Sequence, residues 1–137
     1  MDLLYYHKLK MYMEKNMITL ETVEDLKTYI GKTTGQSPWI KINQERINEF
    51  AKATEDYQWI HVNEEKAQKG IFGSTIAHGF LTLSLAPWMS YNTYEVKNIA
   101  HSVNYGLDKV RFLSPVKAGS NLRGTFKLLE VTPSKAG

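Results

Sequence analysis

The sequence predicts an α+β fold in which an antiparallel sheet wraps one buried helix. Three observations carry this. Residues 76–90 (IAHGFLTLSLAPWMS) hold no charged side chain and place apolar residues on every side, which suits a helix surrounded by other structure. Residues 99–113 and 121–131 alternate and carry β-formers, and the turn between them contains Pro115 and Gly119. Helix-start signals fall in the first half of the chain, so helices come first and strands last.

Taken in order, residues 1–16 (MDLLYYHKLKMYMEKN) read as an N-terminal extension with little structure of its own. Their tyrosines and lysines do not sort onto faces, which argues against a helix lying on a membrane. A single domain is expected over 17–137. Residues 18–31 read as a short helix, capped by Thr19 or Thr22 and stopped by Gly31. Residues 33–38 read as a loop and residues 39–42 as a short strand. Asn43 is placed to cap a helix over 44–54, whose Ile47, Phe50, Ala51 and Ala53 lie mostly on one face. Asn63 is placed to cap a second helix over 64–68, with acidic residues in its first turn and Gly70 as its stop. Residues 71–75 form a loop. Pro87 should kink the buried helix or end its regular part. Strands over 99–113 and 121–131 follow, with a turn signal at 132–137.

Composition narrows the function. Of the 137 residues, 42% are hydrophobic and 23% charged, near the globular norm. The net charge of +3 comes with no basic stripe and no block of like charge, so no nucleic-acid partner is expected. The mild surplus suits an anionic small ligand. The absence of cysteine excludes disulfides, thiolate nucleophiles and cysteine-based zinc sites. No apolar run approaches the roughly 18 residues of a membrane span. Charged residues interrupt the segment from Leu3 to Met13, so no signal peptide is read, no membrane partner is expected, and a cytoplasmic location is.

The stretch that carries chemistry is 53–67. Asp56 and His61 stand five apart, a spacing that puts them on opposite faces of a strand and off one another on a helix. If the two act together, the backbone between them must be irregular. On their own, Asp56 also fits a polar residue following a helix, and His61 a histidine satisfied by its surroundings. His78 fits a cap or core-edge residue. Tyr57 and Trp59 fit packing or the lining of an apolar pocket, and Thr82 and Ser84 bonds within their helix. Asp56, His61 and His78 offer no i,i+4 ligand pair, so no metal is expected. No Gly-x-Ser-x-Gly and no phosphate loop is present, and no cofactor is implied.

These motifs together resemble a known family. Asp56-Tyr57-Gln58-Trp59-Ile60-His61, with Ala67 six residues on, resembles the signature of the MaoC-like dehydratases, the (R)-specific enoyl-CoA hydratases of hot dog fold. Gln58-Trp59 stands where that pattern has Asn-Pro, which resembles the branch named after nodulation protein N. Ile76-Ala77-His78-Gly79-Phe80-Leu81 resembles the His-Gly opening of the central hot dog helix. Residues 111–119 (RFLSPVKAG) resemble the family's strand-to-turn element. The resemblance covers residues 18–137. It implies a hydratase or dehydratase of 2-enoyl thioesters, with Asp56 and His61 as the acid–base pair and the Gly79 N–H as oxyanion donor. It also implies substrate contacts from Tyr57, Gln58, Trp59 and His78, an acyl-CoA or acyl-carrier thioester as substrate, and a homodimer. About two further strands would follow the last residue, so the resemblance implies a C-terminally short copy. Competing readings are a hot dog acyl-CoA thioesterase, with Asp56 activating water at the carbonyl, and a non-catalytic acyl-thioester binder.

Overall fold

The computed structural model describes residues 17–133. The expected extension over 1–16 and the end of the expected turn, 134–137, lie outside the described residues. In chain order the elements are β1 (Ile18–Leu20), α1 (Val23–Leu26) running into a 3-10 turn (Lys27–Tyr29), β2 (Thr33–Gln36), β3 (Ile40–Ile42), α2 (Gln44–Thr54), α3 (Trp59–Val62), α4 (Glu64–Gln68), α5 (Gly79–Ser84), α6 (Ala86–Tyr91), β4 (Tyr94–Val96), β5 (Ser120–Leu122) and β6 (Thr125–Lys127). No helix among them is long and apolar enough to cross a membrane.

The described chain forms two compact units. The first takes residues 17–38, 87–105 and 123–133. In it β1 pairs with β4, in parallel, and β2 pairs with β6, antiparallel. Two expectations are corrected here. Residues 18–31 are not one helix. Ile18–Leu20 is extended because it finds Tyr94–Val96 as partner, and the helix starts only after Thr22, which forms a capping box with Asp25. Residues 33–38 are not all loop. β2 forms against β6 through a register shift at Gly35, whose φ of 137° few other residues adopt. That glycine breaks the alternation by which a strand is read. Ser37 clamps the far end: its N–H donates to the Gly124 carbonyl, and its hydroxyl accepts the Gly124 N–H.

The second unit takes residues 39–86 and 106–122, and it holds the site. Asn43 caps α2 by accepting the Arg46 N–H at 3.1 Å, as its position predicts. The helix ends at Glu55, which takes a left-handed turn (φ 60°). Ile47 and Ala51 point inward; Ala53 is exposed, outside the apolar face. Ile42, Ile47, Ala77 and Leu81 form the core, with Phe50, Leu85, Val116 and Leu122 packed against it. β3 pairs antiparallel with β5, Ile42 opposite Ser120. Asn63 caps α4 through the Lys66 N–H at 2.9 Å.

Three further expectations change. Residues 76–90 form two helices rather than one. Ile76 is extended and bridges Lys117, α5 starts at Gly79, and the chain restarts at α6 with Pro87 in its first turn, where the missing N–H costs nothing. The stretch is not buried on every side, since Phe80 is 70% exposed. Residues 99–113 are not a strand. A strand has no hydrogen bonds of its own, and among the described residues this segment forms no ladder; Val103, Tyr105, Leu107 and Leu113 are exposed. Residues 121–131 divide into β5 and β6, because the chain changes partner at Arg123 and Gly124.

Candidate active site

The left-handed Glu55 turns the chain out of α2, and Asp56 follows it. The Asp56 Oδ1 accepts the Gln58 N–H at 3.3 Å, a side-chain turn that starts α3. One turn of that helix carries His61 inward, where it is 7% exposed. Its Nδ1–H donates to the Ile76 carbonyl at 2.7 Å, and the Ile76 N–H donates to the Ile60 carbonyl at 3.1 Å. That bond assigns the Nδ1 proton and leaves the Nε2 lone pair of the neutral ring free. The backbone between Asp56 and His61 is thus irregular for three residues and then helical.

A residue that the sequence reading missed holds this arrangement. The Gln44 side chain donates to the His61 carbonyl at 2.7 Å and accepts the Thr75 hydroxyl proton at 2.5 Å. It ties the start of α2 to both segments that grip the imidazole. Its partners lie 17 and 31 residues away, so no local pattern signals it.

His78 stands at the N-cap position of α5 but makes no side-chain cap. Instead its Nε2–H donates to the Asp56 main-chain carbonyl at 3.0 Å. Its buried ring stacks on His61 with centroids 3.7 Å apart and planes 26° apart. Acid and base groups of Asp56, His61 and His78 all lie within 4.8 Å of one another, and the Asp56 carboxylate is exposed. A transition metal needs lone pairs converging at about 2.1 Å. Two nearly parallel stacked rings, one Nδ1–H and one Nε2–H already engaged with carbonyls, suit a hydrogen-bonded acid–base group better than a metal.

Beside His61 lies a cavity of about 290 Å³, lined also by Phe72, Ile76, Gly79, Thr82, Phe112 and Val116. His61 and Gly79 therefore meet at one apolar space. Asp56, Tyr57, Gln58, Trp59 and His78 do not line it. Trp59 covers Gly70 and the Lys66 ammonium sits 4.7 Å from its ring centre, while Tyr57 is half exposed. A larger cavity of about 530 Å³ in the first unit, near Val23, Leu26, Tyr91 and Ile99, has no paired acid and base.

Burial pushes the His61 imidazole below its ordinary value of 6.5; the Ile76 carbonyl opposes this, His78 adds to it, and Asp56 opposes it. A lowered value means the unfolded chain binds the proton more readily than the folded one. The contribution of His61 to stability is therefore complete above about pH 6.5 and is lost as pH falls through the folded value. Melting temperature is expected to fall on acidification through this window, and by less in His61→Asn; equal slopes for the two proteins would refute the assignment.

Gly79 has a packing reason to be glycine. A Cβ there would lie 2.6 Å from the Phe112 ring. Gly79→Ala is expected to displace that ring and cost about 1 kcal/mol, in the range of overpacking. In a Phe112→Ala background the same substitution should cost nothing, measured by chemical denaturation. As the first residue of α5, Gly79 has an N–H without an intrahelical partner, at the positive end of the helix.

With this geometry in view, comparison with known proteins identifies the family. The family model described as MaoC like domain matches residues 25–136. The chain belongs to the MaoC-like domain family. Its relatives include a 3-hydroxyacyl-thioester dehydratase Z of Mycobacterium tuberculosis (strain ATCC 25618 / H37Rv), 51% identical over 84% of this chain and 76% of that protein. A nodulation protein N of Rhizobium leguminosarum bv. viciae is 48% identical over 80% of this chain and 69% of its own length. Among solved structures, a MaoC-like dehydratase from Rhodospirillum rubrum matches with a TM-score of 0.63 at 25% identity, over 85% of this chain and 75% of that one. The fold class is therefore α+β, of hot dog type, and the motifs at 56–61 and 76–81 belong to a MaoC-like dehydratase domain.

Proposed function

We propose that this MaoC-like chain is a hydratase/dehydratase of 2-enoyl thioesters, interconverting an enoyl-CoA or enoyl-carrier thioester with its (R)-3-hydroxyacyl form. The observation that carries the reading is the oriented His61, which lines a cavity together with the start of α5 and has the Asp56 carboxylate within 4.8 Å. Hydration adds hydroxide to C3 and a proton to C2. One member of the pair takes a proton from water as its oxygen attacks C3. The electron pair moves through C2 to the thioester oxygen, which takes on negative charge. The pair then delivers that same proton to C2 and returns to its starting state, so one water is added with no other reactant. The apolar walls of Phe72, Ile76 and Val116 suit an acyl chain.

In this reading the Gly79 N–H donates to the thioester oxygen, helped by the dipole of α5, and having no side chain lets the carbonyl come close. The relative named as a thioester dehydratase supports the reaction class.

Turnover of short trans-2-enoyl-CoA substrates tests this. Loss of enoyl absorbance with an (R)-3-hydroxyacyl product is expected. Release of free thiol with no 3-hydroxyacyl product would overturn it in favour of a thioesterase.

A further inference from the structure

We propose that His78 is a positioning residue: it holds the Asp56/His61 pair in register without touching substrate. This rests on the reading of Asp56 and His61 given above. Three observations place it there. The His78 Nε2–H donates to the main-chain carbonyl of Asp56, and the side chain accepts no N–H from the first turn of its own helix. Its ring lies flat against His61. Phe50 packs on it at 5.1 Å between centroids, and the residue is 3% exposed. One planar ring, locked by packing, therefore touches both members of the pair.

The need for such a strut follows from Asp56 itself. The residue sits on an exposed loop, and its carboxylate is held from within the loop by a bond of 3.3 Å to the Gln58 N–H. That local turn orients the carboxylate relative to its own backbone, but it does not fix the loop relative to His61. The bond from His78 does, because it joins the loop to the start of α5, 22 residues on. His61 is fixed separately, by Ile76 and Gln44. His78 is thus the point at which the two independently anchored groups are brought to one spacing. It also shares its segment with Gly79, so the same ring relates the pair to the helix start.

The test compares His78→Leu, which keeps bulk and removes the donor, with His78→Gln, whose amide reaches to about the place of Nε2. In His78→Leu, kcat is expected to fall on the order of 100-fold, as for a displacement near 1 Å, with KM within about twofold. His78→Gln is expected to recover roughly tenfold of the loss, the worth of one hydrogen bond. Both rates are scaled to the folded fraction from thermal melts. Leu and Gln variants of equal kcat, or a loss that appears in KM alone, would overturn the proposal. A second readout needs no turnover. The ring nitrogen resonances of His61 and the amide of Asp56 should shift in His78→Leu and return towards wild type in His78→Gln. Unchanged resonances overturn the strut. An inactive wild-type protein with the expected shifts overturns the reaction assigned above and leaves the strut supported.

Discussion

His61→Asn is expected to lower turnover of 2-enoyl thioesters by about 10²- to 10⁴-fold, the range for removing a positioned acid or base. The choice of Asn separates chemistry from folding. Its Nδ2–H can stand near the imidazole Nδ1–H and still donate to the Ile76 carbonyl, which His61 meets at 2.7 Å. The ring nitrogen that faces the pair is removed, and nothing in asparagine can accept a proton near neutral pH. Melting temperature should therefore fall less than when the donor is lost as well, although the ring stacked on His78 goes in either case. His61→Ala should lose activity equally but also cost about 2–4 kcal/mol. It leaves a void in a buried site, removes the stacking surface of His78 and strands the Ile76 carbonyl. Steady-state kinetics with denaturant unfolding of both variants checks this. Turnover within tenfold of wild type in a folded His61→Asn would remove His61 from the mechanism.

Asp56→Asn is expected to reduce kcat by a similar factor of about 10²–10⁴, with no loss of stability. Asparagine keeps the Oδ1 acceptor for the Gln58 N–H, so the turn that starts α3 survives. The carboxylate is exposed, so its removal leaves no buried group unpaired. It does remove a negative charge that favours the protonated form of His61. The His61 resonance should therefore titrate at lower pH in the variant, an NMR measurement independent of turnover. Full activity of Asp56→Asn would return Asp56 to the role of a turn residue.

The legibility of this chain differed between its parts for a physical reason. The caps at Asn43 and Asn63 and the bounds of α2 and α4 could be read directly, because each depends on residues within one helical turn. The irregular backbone at Asp56 could also be inferred, from a spacing that neither regular element satisfies. Strands were read poorly. β1 lay inside an expected helix, β2 inside an expected loop, and the expected strand over 99–113 formed no ladder. Strand pairing depends on a partner far along the chain, and Gly35 and Gly124 place that partner without leaving an alternating pattern.

At the site the same division holds. The sequence alone singled out the candidates: the Asp56–His61 motif, the His78-Gly79 start of α5, the lack of cysteine, and through these the resemblance to the MaoC-like dehydratases. Side-chain type and local spacing are enough to nominate candidates, since a motif is written in neighbouring residues. Only the tertiary structure decided how those groups are held. It set the His61 tautomer through Ile76, recruited Gln44 from the start of α2, and turned His78 from its helix cap towards the Asp56 carbonyl. It also turned Trp59 away from the cavity to cover Gly70. Each of these is a contact across 11 to 31 residues, and the direction of a side chain at that range is fixed by packing rather than by its neighbours in sequence.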